Sequence, residues 1–286
     1  LGVTVVRDVL AVTVDAGIDG STVSDNTVLI TGTLQAPPNS AVSVGSHIGT
    51  VTFDGRFFIN DVPLVSGTNN LVITLATQEG LTTTRNFTVI RNADPGIGVS
   101  VTESSGIAPF DTEFSVTGVD GPAPKYVEFD INGDGVVDFT LNGPAAAKVI
   151  VTISSPGYNR ATVRVKDADG IVLYSATKVL YAVSSIAQSS FLTGIYTRML
   201  DQLRSGELTG ALTAFTEHAV PKYTAVFNAL GADLVTAVDQ LGTIRGCTMA
   251  PSIAEILLVR QDGAQLLGYE VQLLRGPDGI WRIDGM

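Results

Sequence analysis

The stretch DINGDGVVD, residues 130–138, sets Asp130, Asn132, Asp134 and Asp138 at alternate positions around Gly133 and Gly135. Calcium takes about six to eight oxygen ligands, and loops that cage it supply oxygens from positions 1, 3, 5, 7 and 9, with glycine at 6. Counted from Asp130, those positions hold Asp130, Asn132, Asp134, the Val136 carbonyl and Asp138, with Gly135 sixth. The twelfth residue is Leu141, which has no carboxylate to close a cage bidentately. The flanks YVEF and VVDFTL read as strands, so a helix-flanked calcium loop is ruled out. A plainer alternative stands beside the cage. Asp-Gly recurs at 19–20, 54–55, 120–121, 169–170, 262–263 and 278–279, mostly between strand-like runs. Glycine accepts positive φ and aspartate accepts backbone N–H groups, so the pair turns a hairpin without a metal.

Other chemistry is sparse. The two histidines, His47 in GSHIG and His218 in a helical stretch, lie far apart, and Cys247 is the single cysteine, so zinc has no ligand set. Neither histidine sits near a nucleophile motif that would build a Ser-His-Asp triad. Cys247 lacks a neighbouring base and reads as an inert, core-filling thiol. Asp233, Asp239, Tyr223, Tyr269 and Glu270 are the groups near the C-terminus that would serve proton transfer. None of them falls in a motif. Tyr269 and Glu270 are adjacent on one strand, so only one can face an interior.

Composition bounds the rest. A chain of 286 residues is long enough for two or three cores, and 45% hydrophobic against 16% charged residues supplies them. With 28 acidic and 17 basic residues the net charge is −11, and no Lys/Arg cluster offsets it, so a nucleic acid partner is excluded. No apolar run approaches the roughly 20 residues needed to span a bilayer. The opening LGVTVVRDVL begins inside a strand-like run, as expected of a segment cut from a longer precursor.

Three segments position these residues. Over 1–92, the runs TVLITGTL, AVSVGSHIGTVTF, RFFINDVPL and NNLVITLAT alternate apolar and polar residues between Gly/Pro/Asn turns, predicting an all-β sandwich. The stretch from DAGIDGSTVSDNTVLI to GLTTTRNFTV resembles a bacterial immunoglobulin-like module of the glucodextranase-B type. After RNADPGIG, residues 93–183 alternate again. There GIAPFDTEF, FDINGDG and PGYNRATVRVKDADG resemble a PKD-type β-sandwich, with Phe129 in place of the family's usual Trp and one residue inserted before Asp134. The Asp-x-Asn-x-Asp-Gly spacing is also similar to short calcium loops on hairpins of exported proteins. Residues 184–286 change period. SSIAQSSFLTGIYTRMLDQLRSGE has apolar residues at 187, 191, 192, 195, 199 and 203, which predicts an amphipathic helix. Two or three further helices are expected over LTGALTAFTEHAVPKYTAVFNAL and GADLVTAVDQLGTI, with Pro221 at a break or first turn. Three strands, PSIAEILLVRQ, AQLLGYEVQLLR and GIWRIDGM, complete the chain. This order resembles the nuclear-transport-factor-2-like (cystatin-like) α+β cone, helices packed on an antiparallel sheet. Trp281 reads as core.

The expected fold class is therefore multidomain: two all-β immunoglobulin-like sandwiches and an α+β cone, at 1–92, 93–183 and 184–286. The resemblances imply a non-catalytic segment of a bacterial secreted or cell-surface protein, serving as spacer, adhesion or partner-binding region. Its partner would be a surface protein or a glycan, and its location extracellular. Two alternatives remain open: accessory modules of a polysaccharide-acting enzyme, and a cone that binds or converts a small molecule. A sugar-binding face calls for exposed aromatics, and Phe53, Phe57, Phe58, Tyr126 and Tyr158 are the ones on offer. Calcium is the only cofactor suggested, through Asp130, Asn132, Asp134, Val136 and Asp138. A cage here would bind weakly, at about 10⁻⁴–10⁻³ M. Its test is thermal: the cage predicts a melting midpoint that rises with millimolar calcium and falls with chelator, whereas a plain turn predicts no shift.

Overall fold

The computed structural model describes residues 10–93, 96–118, 124–142 and 147–286. The opening run before Leu10, Asp94 and Pro95 of the expected linker, and the Asp-Gly pair at 120–121 lie outside the described residues. By packing, the chain divides into two compact units. The first holds two β-sandwiches.

The first sandwich contains β1 (Ala11–Val14), β2 (Ser21–Val23), β3 (Thr27–Gln35), β4 (Ala41–Val44), β5 (His47–Ile48), β6 (Thr50–Val51), β7 (Arg56–Pro63), β8 (Gly67–Ala76) and β9 (Thr82–Arg91). They form one sheet in the order β1-β3-β7-β6 and a second in the order β2-β9-β8-β4-β5. Alternation along each strand sends Val12, Val14, Ile30, Val42, Phe57, Ile59, Ile73, Leu75, Phe87 and Val89 into a shared core. The run AVSVGSHIGTVTF, expected as one strand, is broken into β4, β5 and β6. The chain reverses at Gly45 (φ 58), and β5 folds back on β4 through Val44↔His47.

The second sandwich contains β10 (Gly98–Val101), β11 (Ser105–Ile107), β12 (Phe110–Thr117), β13 (Tyr126–Asp130), β14 (Phe139–Asn142), β15 (Ala147–Ile153), β16 (Gly157–Lys166) and β17 (Val172–Val183). Its sheets run β10-β12-β15 and β11-β17-β16-β13-β14. Phe129, fully buried, is its pivot: it meets Phe114 edge-on with centroids 5.9 Å apart and stacks on Phe139 at 4.8 Å.

The second unit comprises Ser185–Met286 with the short segments Pro37–Ala41 and Ala76–Thr82. Helix α1 (Ser185–Arg204) buries Leu192, Ile195, Tyr196, Met199, Leu200 and Leu203, the stripe its spacing predicts. Three shorter helices follow: α2 (Leu208–Leu212), α3 (Val220–Leu230), which has Pro221 in its first turn, and α4 (Leu234–Asp239). The antiparallel sheet is β18 (Thr243–Met249), β19 (Ile253–Asp262), β20 (Gln265–Arg275) and β21 (Trp281–Gly285), paired in that order. Ile256, Leu258, Val271, Leu273 and Ile283 pack with the α1 stripe, Phe215, Tyr223 and Phe227 into one core.

Two expectations fail here. The stretch between α2 and α3 is not helical: Phe215 bridges Ile283 on β21, and His218 lies on an exposed turn. Strand β18 was not among the three strands expected. A register shift between Ile244 and Gly246 lets Ile244, Cys247 and Met249 all pair opposite core-facing residues of β19. The insertion spaces its apolar residues by three and then two, which hides the strand period.

Asn39 (φ 63) is buried in this unit, and its carboxamide pairs with both main-chain groups of Trp281. The Trp281 N–H donates to Asn39 Oδ1 at 2.9 Å, and Asn39 Nδ2 donates to the Trp281 carbonyl at 2.8 Å. Trp281 is buried, as its sequence context implies. One polar group in this core has no partner among the described residues, the Tyr196 hydroxyl. Burial pushes its pKa up to about 12. A buried hydroxyl without an acceptor loses its hydration for nothing, a cost of about 1–3 kcal/mol. Tyr196→Phe is therefore expected to leave the fold intact and raise its unfolding free energy by about 1 kcal/mol, measured by urea denaturation.

Candidate functional site

Three places hold clustered polar groups: the Asp-rich hairpin, the acidic and tyrosyl groups of the second unit, and the joint between the two sandwiches.

The hairpin 130–138 connects β13 to β14, which pair from Tyr126↔Asn142 to Phe129↔Phe139. Asp130 is 2% exposed, and its two carboxylate oxygens accept the Gly133 and Gly135 N–H groups at 2.8 and 3.0 Å. Both glycines have positive φ, which lets these two alternate amides point inward at one carboxylate. Asn132 Oδ1 accepts from the Asp134 N–H and Asp134 Oδ1 from the Val136 N–H, at 2.9 and 2.8 Å. Asp138 Oδ2 accepts the Ile131 N–H at 2.6 Å, and Asn132 Nδ2 donates to Asp134 Oδ2 at 3.0 Å. Each of these side chains therefore has an oxygen committed to the loop itself. Among the described residues, no three His, Cys, Asp or Glu side chains gather into a set that would hold a metal ion. The loop's own amides are thus sufficient to close the turn.

In the second unit, Asp233, Asp239, Tyr269 and Glu270 are exposed and do not converge. Asp239 pairs with Arg204 at 2.9 Å, and the Arg260 guanidinium lies over the Tyr269 ring at 5.3 Å. Tyr223 is buried, and its hydroxyl accepts the Met286 N–H at 2.7 Å while donating to the Met286 carbonyl at 2.9 Å. Burial pushes the half-buried Cys247 thiol pKa up, away from thiolate chemistry.

The joint was not anticipated. Strands β3 and β7 pair at Val28↔Val62 and resume at Ile30↔Ile59, so Asn60 and Asp61 together oppose the single residue Leu29. This is a β-bulge, which kinks a strand and re-aims side chains. Asp61 takes the left-handed conformation, φ 58. Both residues reach β17 of the second sandwich. Asn60 Nδ2 donates to the Val179 carbonyl at 2.8 Å, and the Val179 N–H donates to Asn60 Oδ1 at 3.0 Å. β11 pairs with β17 only over Tyr181–Val183, so the amide extends that edge where the strand stops. Asp61 pairs with Lys178, which is only 5% exposed. Asp25 lies beside the same ammonium and accepts a hydrogen bond from Tyr174. Thr50 Oγ1 donates to Ser105 Oγ at 3.2 Å, and Phe58 meets Tyr158 edge-on with centroids 6.0 Å apart. Two charged groups taken from water demand each other: removing Asp61 would leave the Lys178 charge short of its partner. Such a loss costs about 3–5 kcal/mol when complete, and less here because Asp61 is partly solvated.

Farther along β7 and β17 lies an open cleft of about 310 Å³, lined by Thr52, Phe53, Asp54, Arg56, Tyr158 and Tyr181. A tight turn at Asp54-Gly55 builds one wall. The Gly55 N–H reaches the Thr52 carbonyl at 3.1 Å, Gly55 has φ 80, and the Thr52 N–H reaches the Arg56 carbonyl at 2.8 Å. Thr52 Oγ1 donates to Asp54 Oδ1 at 2.5 Å, and Arg56 Nε sits 3.3 Å from Asp54 Oδ2. The Thr52 bond, against a small opposing effect of burial, holds the Asp54 carboxyl below its usual range. Phe53 is 48% exposed, while Phe57 and Phe58, named with it from sequence, are buried.

No family model matches the chain, and no curated protein does. Solved structures similar to part of it include fibronectin(III)-like modules of Clostridium thermocellum CbhA, at 14% identity and a TM-score of 0.25, covering 62% of this chain and 96% of that one. The Escherichia coli adhesin FdeC is 16% identical with a TM-score of 0.23, covering 62% and 66%. Bacteroides ovatus SGBP-B, solved with a mixed-linkage heptasaccharide, is 13% identical with a TM-score of 0.22, covering 63% and 48%. The sandwich architecture rests on the strand pairing above rather than on these likenesses.

The joint carries a pH signature. Burial raises the Asp25 pKa, outweighing the Tyr174 hydrogen bond and the Lys178 charge that pull it down. A carboxyl whose folded pKa exceeds its unfolded value contributes stability below the unfolded value, near pH 4, and loses it as pH rises through the folded one. Asp25→Asn should abolish that component. Urea midpoints of the parent chain, relative to the variant, are expected to fall as pH is raised from about 4. Parallel pH profiles would place Asp25 in water.

Proposed function

We propose that this chain is a non-catalytic segment of an exported bacterial surface protein, built of three modules at 1–92, 93–183 and 184–286, that holds or presents a contact surface. The observation carrying this reading is the joint. A presenting segment needs neighbouring sandwiches that do not swing, and independent domains meet by default through polar, mobile interfaces. Here a bulge aims two side chains across the joint, one completing a sheet edge and one neutralising a buried ammonium. The second unit adds a helix–sheet core of apolar and aromatic side chains, and none of its described Asp, Glu, His, Lys or Arg side chains is fully buried. That supports a scaffold rather than a reaction chamber. Among the described residues no helix is long and apolar enough to cross a membrane.

A second reading, as an accessory glycan-contacting region, is favoured by one observation, the cleft that gathers Phe53, Tyr158 and Tyr181 beside Asp54 and Arg56.

Residual dipolar couplings test the joint. Amides of the two sandwiches should fit one alignment tensor in the parent chain and require two when Asn60→Ala and Lys178→Met are combined. Independent tensors in the parent chain would remove the presenting role. Protease added to intact cells that produce the full-length protein should cleave it; protection until lysis would remove export.

A further inference from the structure

We infer that the cleft lined by Phe53, Asp54, Arg56, Tyr158 and Tyr181 binds a pyranose unit of a neutral polysaccharide. This deepens the surface-contact reading and depends on it only for access to a polymeric glycan. A pyranose has a C–H face that is apolar and a rim of hydroxyls that both donate and accept. Its receptor needs aromatic surface for the first and adjacent donors and acceptors for the second. The cleft supplies both. Phe53 is solvent-accessible, and Tyr158 and Tyr181 are half-buried, with burial pushing both phenols' pKa values up so that they remain protonated. The Phe53 N–H donates to the Tyr181 oxygen at 3.5 Å, so toward that amide the phenol is an acceptor and its O–H can donate to a ligand.

The rim is set by the turn. Arg56 is donor-only and Asp54 is acceptor-only, and the 3.3 Å contact between them holds the two side by side. The Arg56 backbone N–H donates to Thr52 Oγ1 at 3.0 Å, which ties the turn together. A carboxylate tied to Thr52 beside an exposed guanidinium matches two neighbouring hydroxyls, one donating to Asp54 and the other accepting from Arg56. A fixed geometry lowers the ordering cost on binding.

Rival occupants fit less well. A proline-rich peptide would also lie on aromatic rings, but it offers carbonyl acceptors and few donors, leaving the Asp54 carboxylate facing oxygen. A polyanion would meet Asp54 and a chain of net charge −11. The volume, about 310 Å³, is at the lower end for small-molecule sites and suits a single ring rather than an extended chain.

The test uses the full chain, isotope-labelled, titrated with cellohexaose, xylohexaose, maltohexaose and laminarihexaose while amide shifts are followed. The proposal expects saturable shifts at 52–56, Tyr158 and Tyr181 with at least one of these sugars. Phe53→Ala and Arg56→Gln, both at exposed positions, should each weaken that binding by about tenfold or more with the melting midpoint unchanged. No saturable shift with any of the four sugars would overturn it. So would shifts centred elsewhere, binding indifferent to both variants, or a proline-rich peptide that occupies the cleft when the sugars do not. Because the joint is read by dipolar couplings and the cleft by titration, one can fail while the other stands.

Discussion

The first unit depends on a carboxamide doing the work of a peptide group. Asn60 presents one donor and one acceptor at nearly the spacing of a main-chain amide, and the Val179 carbonyl and N–H pair with them as though a further strand had arrived. A buried sheet edge must have its N–H and C=O groups met, because each left bare costs about as much as a lost hydrogen bond. The neighbouring Asp61–Lys178 pair follows from the same kink, since the bulge that turns Asn60 outward also turns Asp61. Geometry comes first here, and electrostatics exploits it.

The device recurs. Asn69 closes the connection between β7 and β8, accepting the Val65 N–H at 2.8 Å and donating to the Val65 carbonyl at 2.9 Å. In the second unit Asn39 does the same for Trp281. Three asparagines thus each satisfy both main-chain groups of a single residue where strand pairing gives out.

Much of the architecture is legible from residue order because it follows periodicity. The period-two run of NNLVITLAT and the 3.6-residue stripe of α1 become buried faces where the alternation says they should, whereas β3 buries Ile30, Thr31 and Gly32 in succession. Legibility ends wherever an inserted residue shifts the phase. The bulge in β18 turned a strand into an uninterpretable TIRGCTM, and breaks at Gly45 and Gly49 cut a single long run into three short strands. The joint left one local trace: an Asn-Asp pair inside RFFINDVPL, two residues that strands disfavour, within an otherwise β-branched and aromatic run. Its partners lie more than a hundred positions away on β17, and no pattern in either strand alone pairs them. The hairpin 130–138 was readable as a turn with crowded acceptors, but not which donors those acceptors serve. The answer is the loop's own amides, drawn inward by two glycines of positive φ. The cleft is harder still, because Tyr181 and Phe53 become neighbours only through the joint.

Reliance on carboxamides has a chemical price in time. Asparagine is among the thermolabile side chains, and its spontaneous hydrolysis exchanges a single NH₂ for an oxygen. At position 60 that exchange would turn a donor into an anion aimed at the Val179 carbonyl, oxygen against oxygen, next to a carboxylate already present at position 61. The seam between the sandwiches would then age faster than either of their cores.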